Sequence, residues 1–279
     1  MTERNNRVEQ LFDVSGRVAI VTGGAGLLGY HHGAILAAAG AHVVLLDLAS
    51  ADPQGRGAQL SNEYGAESIG LVCDITSESS LEHARVQILE KFGRIDILIN
   101  NAANNPKVED GNTSWSRLEN FPLESWDADI RVGLTGAFLC SRVFGAEMAK
   151  RGSGVIVNLA SDLAIIAPDQ RLYRVDGLPE DQQPVKPVTY SVVKSALLGL
   201  TRYLATYWSD ANIRVNAISP GGVLNGQPEV FLSRLKNLIP MGRMADRDEY
   251  QGAILFLCSD ASSYMTGSNL VIDGGRTCW

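Results

Sequence analysis

A tyrosine and a lysine four positions apart, in Tyr190-Ser191-Val192-Val193-Lys194, are the residues of this chain best suited to proton chemistry. They begin an apolar, small-residue run that is typical of a helix, where the spacing i, i+4 puts both side chains on one face. An unperturbed phenol has a pKa of about 10, and a neighbouring ammonium lowers that pKa. The pair could therefore exchange a proton with a substrate hydroxyl or carbonyl near neutral pH. Because both residues are also common on helix surfaces, the pair indicates a site only if the chain also supplies a hydride carrier.

A glycine-rich turn near the N-terminus could hold such a carrier. Residues 17–21 predict a strand, residues 22–29 have the sequence Thr-Gly-Gly-Ala-Gly-Leu-Leu-Gly, and an Ala-rich helical pattern follows. Gly24, Gly26 and Gly29 fit G-x-G-x-x-G, a pattern in which small residues let backbone N–H groups approach a pyrophosphate at a helix N-terminus. An ordinary glycine-rich turn between strand and helix is the alternative.

Asp47 ends the next predicted strand, residues 42–46. An acidic residue at this position can accept hydrogen bonds from the adenosine ribose hydroxyls. It would also repel a 2′-phosphate, and the following Leu48-Ala49-Ser50 has no arginine or lysine to hold one. The sequence therefore predicts NAD rather than NADP. Asp47 could instead simply end a strand or cap a turn.

The rest of the chain continues to alternate strands and helices. This pattern predicts an α/β fold of the Rossmann type, a doubly wound, parallel, seven-stranded sheet with helices on both faces. We expect one domain over residues 1–279, with a polar lead at 1–15. Predicted helices are 53–64, 78–92, 124–151, 190–208 and 246–259, with a helical lid at 224–240, and predicted strands are 68–73, 95–100, 154–159, 213–218 and the run beginning at Asn269. In the helix at 124–151, Phe138, Val143, Phe144 and Met148 are the expected packing residues.

Polar and turn-forming residues follow the later strands, at the sheet edge where open α/β sheets bind ligands. Asp74 could meet the adenine edge or cap the next helix. Asn100 begins a run of side-chain amides, and the strand at 154–159 delivers Ser161 to the same edge. The bend that starts at Pro220 could close over a nicotinamide carboxamide, or be a plain Pro-Gly turn.

The 28 residues 162–189 form an unusually long predicted loop between the serine and the tyrosine. So long a loop beside a reacting centre is typical of a functional segment. Its candidates for contact with an anionic or polyhydroxylated substrate are Asp162, Arg171, Tyr173, Arg174 and Lys186, although solvated surface charge explains each arginine or lysine equally well. A second polar segment, residues 108–121, is predicted to be a mobile loop over the cleft or a surface excursion.

Composition excludes several classes of function. The chain has 24 basic and 31 acidic residues, a formal charge of -7 and no basic stripe, so nucleic acid is not an expected partner. Its four cysteines lack metal-site spacing, and three are expected in the core as reduced thiols. The N-terminus is too polar for a signal peptide, and no apolar run approaches the ~20 residues that span a bilayer. We expect a soluble cytoplasmic protein that holds no metal and binds no membrane.

Six ordered motifs together resemble the short-chain dehydrogenase/reductase family over about Ser15 to Gly275. They are the glycine turn after the first strand, an Asn-Asn-Ala segment after the fourth, a serine after the fifth, Tyr-x-x-x-Lys, Pro-Gly after the sixth, and a C-terminal Asp-Gly-Gly. The resemblance implies an enzyme that transfers hydride between NAD and a secondary alcohol or ketone, which could be a sugar or sugar derivative. It makes Tyr190 the catalytic acid/base, with Lys194 lowering its pKa and Ser161 bonding the substrate oxygen.

The same resemblance implies a cofactor site drawn from several loops. Its residues would be Gly23, Gly26, Leu27, Leu28, Gly29, Asp47, Leu48, Asp74, Ile75, Asn101, Ala102, Ala103, Tyr190, Lys194, Pro220, Gly221 and Val223. Asp74 and Ile75 would bracket adenine, and Lys194 would bind the nicotinamide ribose. Members of the family are usually tetramers, so a homo-oligomer, tetramer or dimer, is expected.

Two departures from the family pattern stand out. The glycines Gly23, Gly26 and Gly29 have the spacing of an extended branch that acts largely on nucleotide sugars, which points toward a sugar. Where members commonly have Val-Asn-Leu-x-Gly, this chain has Val132-Gly133-Leu134-Thr135-Gly136, so an asparagine that supports a proton-relay water is missing. The overall pattern is most similar to oxidoreductases of bacterial surface-glycan and nonulosonic-acid sugar pathways.

Three other functions fit parts of this pattern. A 3-oxoacyl-thioester reductase shares the motifs, but Asp47 argues against its usual NADPH preference. A catalytically silent NAD-binding sensor or scaffold would explain the missing asparagine, although Ser161, Tyr190 and Lys194 are all present. A sugar epimerase or dehydratase shares the glycine spacing, but such chains usually carry a larger C-terminal domain than the residues after Lys194 provide.

Overall fold

Seven parallel strands form one sheet, as predicted, and their order is β3-β2-β1-β4-β5-β6-β7. The computed structural model describes residues 3–105, 108 and 114–279. Its strands are β1 Val18–Thr22, β2 His42–Asp47, β3 Ser68–Val72, β4 Ile97–Asn100, β5 Gly154–Leu159, β6 Ile213–Pro220 and β7 Asn269–Ile272. The chain builds outward from β1 to β3 and then returns to place β4 beside β1. The carboxyl ends of β1 and β4 thus meet at a switch point, where such sheets bind ligands.

Helices cover both faces of this sheet. They are α1 Glu3–Phe12, α2 Leu27–Ala38, α3 Pro53–Tyr64, α4 Glu78–Phe92, α5 Leu123–Ile130, α6 Gly136–Arg151, α7 Val188–Tyr207, α8 Glu229–Leu235 and α9 Gln251–Cys258. Alternate residues of β1 enter opposite cores: Ile20 packs with α4 and α6, and Val21 packs with α2 and α9. Burial on both faces explains why the strands are nearly unbroken apolar runs.

Three predicted elements differ from the structure. The polar lead contains helix α1, which was not predicted, and its Val8, Leu11 and Phe12 are exposed. The lid predicted over 224–240 is only α8 followed by a short 3-10 turn, Lys236–Leu238.

The predicted helix at 124–151 is α5 and α6 joined by a π-helical turn, Arg131–Thr135. Phe144 and Met148 are buried as expected, but Phe138 is 44% exposed and is not a core residue.

The placement of the cysteines agrees with the prediction of three in the core. Cys73, Cys140 and Cys258 are buried, and Cys278 is exposed.

Of the predicted loop at 108–121, residues 109–113 lie outside the described residues, and two 3-10 turns, Ser114–Ser116 and Leu118–Asn120, follow. In the described ranges, no helix combines the length and apolarity needed to cross a bilayer.

Candidate active site

Helix α7 and strand β5 together fix the Tyr-x-x-x-Lys pair. Tyr190 lies in the first turn of α7, and Lys194 is one turn further along the same face. The Lys194 Nζ donates a hydrogen bond of 2.6 Å to the carbonyl of Leu159, the last residue of β5. This ammonium lies 5.9 Å from the centre of the Tyr190 ring. The end of the sheet therefore holds the lysine at the phenol.

Burial controls the protonation of both groups. Burial, with a smaller contribution from the nearby charge of Lys186, lowers the pKa of Lys194 to about 8. Burial also raises the pKa of Tyr190, as does Asp162, while a hydrogen bond with Ser161 lowers it. The net shift in the protein alone is therefore opposite to the one expected from the lysine, because desolvation dominates. At neutral pH Tyr190 is a phenol able to donate a proton.

Ser161 lies directly beyond β5 and caps a short 3-10 turn, Asp162–Ala164. Its Oγ accepts a hydrogen bond from the Leu163 N–H at 3.2 Å and donates one to the Asp162 carboxylate at 2.7 Å. The other Asp162 oxygen accepts a hydrogen bond of 2.7 Å from Arg276, near the C-terminus. Arg276 was missed by the sequence analysis because it is 114 positions from Asp162 and follows the last glycine turn in no recognisable motif.

A second lysine approaches the tyrosine from the long loop. The Lys186 Nζ lies 4.1 Å from the centre of the Tyr190 ring and donates a 2.7 Å hydrogen bond to Asn105. An ammonium over an aromatic face is an attractive cation–π contact. Lys186 therefore shares the Tyr190 environment with Lys194, a proximity that the sequence spacing did not reveal.

Gly133 occupies the position where the family asparagine was expected. A Cβ at Gly133 would lie 2.5 Å from Cγ1 of Val193, so close packing against α7 leaves no room for a side chain. Beside Gly133 is a cavity of about 10 Å³, which also contacts Lys186, Tyr190 and Lys194. That volume is about what one water molecule needs.

The glycine turn has the geometry of a phosphate cradle. Gly23 has a φ of +60°, and a Cβ at Gly29 would lie 2.1 Å from the Gly23 carbonyl oxygen. Gly26 precedes α2, and no side chain caps the helix N-terminus there. A Cβ at Gly26 would meet only the Gly23 oxygen, at 3.2 Å. The exposed start of α2 and the absence of a blocking side chain fit the pyrophosphate of a dinucleotide.

Asparagine and threonine side chains fasten this turn to β4. The Thr22 hydroxyl accepts hydrogen bonds from the backbone N–H groups of Asn101 and Ala102, at 3.0 and 3.1 Å. The Asn101 amide donates to the carbonyls of Thr22 and Gly23, at 2.9 and 3.1 Å. Asn100, which was expected in the cleft, is instead buried in the sheet and donates to Asn158.

The predicted ribose and adenine residues lie along the same edge. Asp47 ends β2, and its carboxylate accepts hydrogen bonds from the N–H groups of Ala25 and Leu48. Asp74 accepts from the backbone and hydroxyl of Thr76, whereas Ser77 caps α4, so the capping alternative for Asp74 is wrong. Ile75 is buried against Gly136.

A cleft of about 570 Å³ brings together the predicted catalytic residues and part of the cofactor and substrate sets. Among the predicted residues, those lining it are Leu27, Leu28, Asn101, Ser161, Asp162, Tyr173, Lys186, Tyr190, Lys194, Pro220, Gly221 and Val223. Arg171 and Arg174 are not brought into it, because they form exposed ion pairs with Asp169 and Glu180.

One wall of the cleft joins the predicted lid to the predicted loop. The ring of Tyr173 lies 5.5 Å from that of Phe231 on α8. Leu172, Leu235 and Ile239 form a small buried cluster beneath them. The segment 162–189 is thus anchored on α8 by apolar contacts. In the described part of the chain, no group of three or more His, Cys, Asp or Glu side chains could hold a metal ion.

Comparisons with known proteins agree with this geometry. Residues 17–172 match the family described as short chain dehydrogenase, and residues 181–277 match the family described as Enoyl-(Acyl carrier protein) reductase. The chain belongs to the short-chain dehydrogenase/reductase family. It is 35% identical to a D-threitol dehydrogenase of Mycolicibacterium smegmatis, over 95% of each chain. It is also 35% identical to an NAD-dependent glycerol dehydrogenase of Listeria innocua, over 95% of this chain and 96% of the relative.

A solved structure extends the comparison to a bound cofactor. The gluconate 5-dehydrogenase of Burkholderia cenocepacia, in complex with NADP and tartrate, has a TM-score of 0.85 and 27% identity, over 98% of this chain and 99% of that one. Nicotinamide cofactor binding is thus supported, while the relatives include NAD-dependent and NADP-bound proteins. The expected likeness to surface-glycan and nonulosonic-acid enzymes is not supported, because these relatives are named for polyols and a sugar acid.

Proposed function

We propose that this protein is an NAD-dependent dehydrogenase that oxidises a secondary alcohol of a polyol or sugar-type substrate, and reduces the corresponding ketone. The observation that carries the proposal is the meeting of Ser161, Tyr190 and Lys194 in one cleft at the carboxyl edge of the sheet. The relatives named for threitol and glycerol support the substrate class.

Bound NAD would supply the hydride acceptor, and NADH the donor. The chain's own residues would handle the proton. Tyr190 takes the hydroxyl proton of the alcohol at its phenolic oxygen, or returns it to the ketone. Ser161 would turn its single hydroxyl proton from Asp162 to the same substrate oxygen, and the Lys194 ammonium would stabilise the phenolate when it forms. Tyr190 must be a phenol to give a proton and a phenolate to take one, so ketone reduction is favoured at lower pH and alcohol oxidation at higher pH.

The cofactor would be held along the switch point between β1 and β4. The turn Gly23–Gly29 and the N–H groups at the start of α2 would bind the phosphates. Asp47 would accept from the adenosine ribose, and its negative charge opposes a 2′-phosphate. Leu48, 53% exposed, offers an apolar side chain where a cation would be needed for NADP. These features support NAD as the preferred cofactor.

The remaining proposed contacts come from three loops. Asp74 and Ile75 would flank adenine, and Asn101, Ala102 and Ala103 would pass beside the cofactor. Pro220, Gly221 and Val223 would lie at the nicotinamide end, where the Gly221 carbonyl accepts a 3.0 Å hydrogen bond from Tyr250. This bond fixes the bend after β6 beside the proposed reacting centre.

The test is binding of NADH and NADPH by calorimetry, followed by turnover of threitol, glycerol, xylitol, gluconate and an acyl-thioester analogue. We expect NADH to bind at least tenfold more tightly and a polyol to be oxidised. Tyr190→Phe should abolish turnover but retain NADH binding. The double variant Asp47→Ser, Leu48→Arg should shift the preference toward NADPH.

Other results would point elsewhere. Tight NADPH binding with thioester reduction would identify a 3-oxoacyl-thioester reductase. NADH binding with no turnover of any substrate would favour the silent sensor. Near-normal activity of Tyr190→Phe would exclude the proposed acid/base.

We also propose that the protein is a homo-oligomer. Helices α6 and α7 expose aromatic side chains, with Phe138 44%, Tyr203 62% and Tyr207 64% exposed. Exposed aromatic clusters of this kind favour burial against a partner. Light scattering after size exclusion should give a dimer or tetramer, and Tyr203→Glu with Tyr207→Glu should reduce its mass. A monomeric wild-type protein at micromolar concentration would contradict this proposal.

A further inference from the structure

A buried ion pair connects the C-terminal tail to the candidate active site. Arg276 and Asp162 are 2.7 Å apart, and their side chains are only 9% and 4% exposed. Arg276 follows β7 by four positions, and Asp162 follows β5 by three. Removing two charges from water costs about as much free energy as their attraction returns, so stabilising the fold does not by itself explain so buried a pair.

The Asp162 carboxylate accepts hydrogen bonds from two adjacent residues and from the C-terminal tail. One carboxylate oxygen accepts from the Ser161 hydroxyl at 2.7 Å and from the Leu163 N–H at 2.8 Å. The other oxygen accepts from Arg276. With three donors already bound, Asp162 has little capacity left for a substrate hydroxyl. This differs from the substrate contact expected from the sequence.

We propose that Asp162 and Arg276 are a positioning pair, which holds the Ser161 oxygen in place in the substrate-free site and leaves no net charge from the pair beside Tyr190. The inference rests on the proposed roles of Ser161 and Tyr190. Arg276 fixes the Asp162 carboxylate, which in turn fixes the Ser161 oxygen. The C-terminal tail thereby becomes part of the reaction site, since Arg276 lines the same cleft as Ser161 and Tyr190.

Charge is the second part of this role. The charged or titratable groups around Tyr190 are Lys194 on its own helix, Lys186 from the loop before it and Asp162 from the end of β5. Asp129 of α5 lines the same small cavity, and Tyr250, just before α9, is close enough for the charge of Tyr190 to raise its pKa. Asp162 acts against ionisation of the phenol, and Arg276 offsets that negative charge. Removing Arg276 should therefore raise the pKa of Tyr190, and removing the Asp162 charge should lower it.

The experiment compares Arg276→Met, Asp162→Asn and the double variant with the wild type. Arg276→Met should lower kcat/KM at least tenfold, mainly through kcat, and move the pH profile of alcohol oxidation to higher pH. Asp162→Asn should move the profile to lower pH. The double variant is uncharged at both positions and should recover the wild-type pH profile and most of the lost melting temperature.

Arg17→Met is the matched control. Arg17 also joins distant parts of the chain, through a 2.8 Å ion pair with Asp260 far from the cleft. It should lower the melting temperature slightly and leave the pH profile unchanged. Should Arg276→Met fold poorly, Arg276→Lys keeps the charge and is expected to retain the wild-type profile with a smaller loss of kcat.

A spectroscopic readout separates this inference from the proposed function. The ionisation of Tyr190 can be followed without turnover, as the ultraviolet difference titration of wild type minus Tyr190→Phe, repeated in each Arg276 and Asp162 background. Opposite shifts in the two single variants would support the pair whatever the substrate. A changed melting temperature with an unchanged Tyr190 titration and pH profile would reduce the pair to a structural role and overturn the proposal.

Discussion

On the cofactor side of the cleft, backbone groups do most of the positioning, whereas on the substrate side charged side chains do it. The glycine turn is held by Thr22 and Asn101, whose bonds run to backbone N–H and carbonyl groups of adjacent strands. Across the cleft, Lys194 is buried against a carbonyl, Lys186 lies over Tyr190, and Arg276 pairs with Asp162.

Substitutions on the two sides of the cleft should have different effects. A backbone cradle tolerates little added volume, so its variants should lose folding or cofactor affinity through steric clash. A set of partly desolvated charges should respond through protonation, so its variants should change the pH dependence of the rate. Substitutions on each side can separate these two responses.

The largest effect is expected at Gly29. Alanine there would place its Cβ 2.1 Å from the Gly23 oxygen and 2.8 Å from the Asn101 amide, so the turn must move. We expect Gly29→Ala to lower the free energy of unfolding by about 3 kcal/mol or more and to abolish NADH binding. Urea unfolding and calorimetric titration measure the two effects.

Gly26→Ala is the matched variant on the same turn. Its Cβ would meet only the Gly23 oxygen at 3.2 Å, so the fold should survive. Cofactor affinity should still fall at least tenfold, because the methyl group would stand at the start of α2 where phosphate is expected. Unchanged affinity in Gly26→Ala would show that the phosphates bind elsewhere.

The next effect is expected at Gly133, on the boundary between the two sides. Gly133→Asn would insert a side chain against Val193 and should cost about 1–3 kcal/mol of unfolding free energy rather than restore a family feature. Adding Val193→Ala should recover part of that loss by removing the Cγ1 that the new Cβ meets. Chemical denaturation of the single and double variants tests this, and additive losses would contradict the proposed contact.

Some of these features could be predicted from the sequence and others could not. The parallel seven-stranded sheet, the glycine turn and the Tyr190–Lys194 pair could be predicted because each depends on periodicity or local spacing. Helix α1 was missed because its segment is mostly polar, although Val8, Leu11 and Phe12 have helical spacing. Arg276 could not be predicted, because its partner is 114 residues away and only the tertiary fold joins them. The raised pKa of Tyr190 could not be predicted, because spacing shows the nearby lysine but not the burial.

A smaller effect on the cofactor side concerns stability rather than rate. His32 on α2 is fully buried with neither ring nitrogen hydrogen-bonded, and burial lowers its pKa to about 3. Between pH 6.5 and 3 the unfolded chain binds a proton that the folded chain does not. Stability should therefore fall as the pH drops through this window, by up to about 1.4 kcal/mol per unit.

His32→Leu provides the comparison for this slope. Leucine cannot take up a proton, and it leaves no unpaired nitrogen, so stability at pH 7 should be kept. Unfolding free energies measured from pH 6.5 to 5, above most carboxyl titrations, should be flatter for the variant than for the wild type. Equal slopes would show that another group controls acid unfolding.

The smallest effect is expected at Arg171, and it sharpens the contrast with Arg276. Each of these arginines forms an ion pair with an aspartate. The Arg171 side chain, however, is 80% exposed, and its partner Asp169 is only two residues away. Solvent screens such a pair, and its local geometry holds no distant segment in place. Arg171→Ala should therefore leave kcat/KM within about twofold and the pH profile unchanged. Steady-state kinetics on the best polyol substrate measure this, and a tenfold rise in KM would mean that the loop carries Arg171 into the cleft when substrate binds.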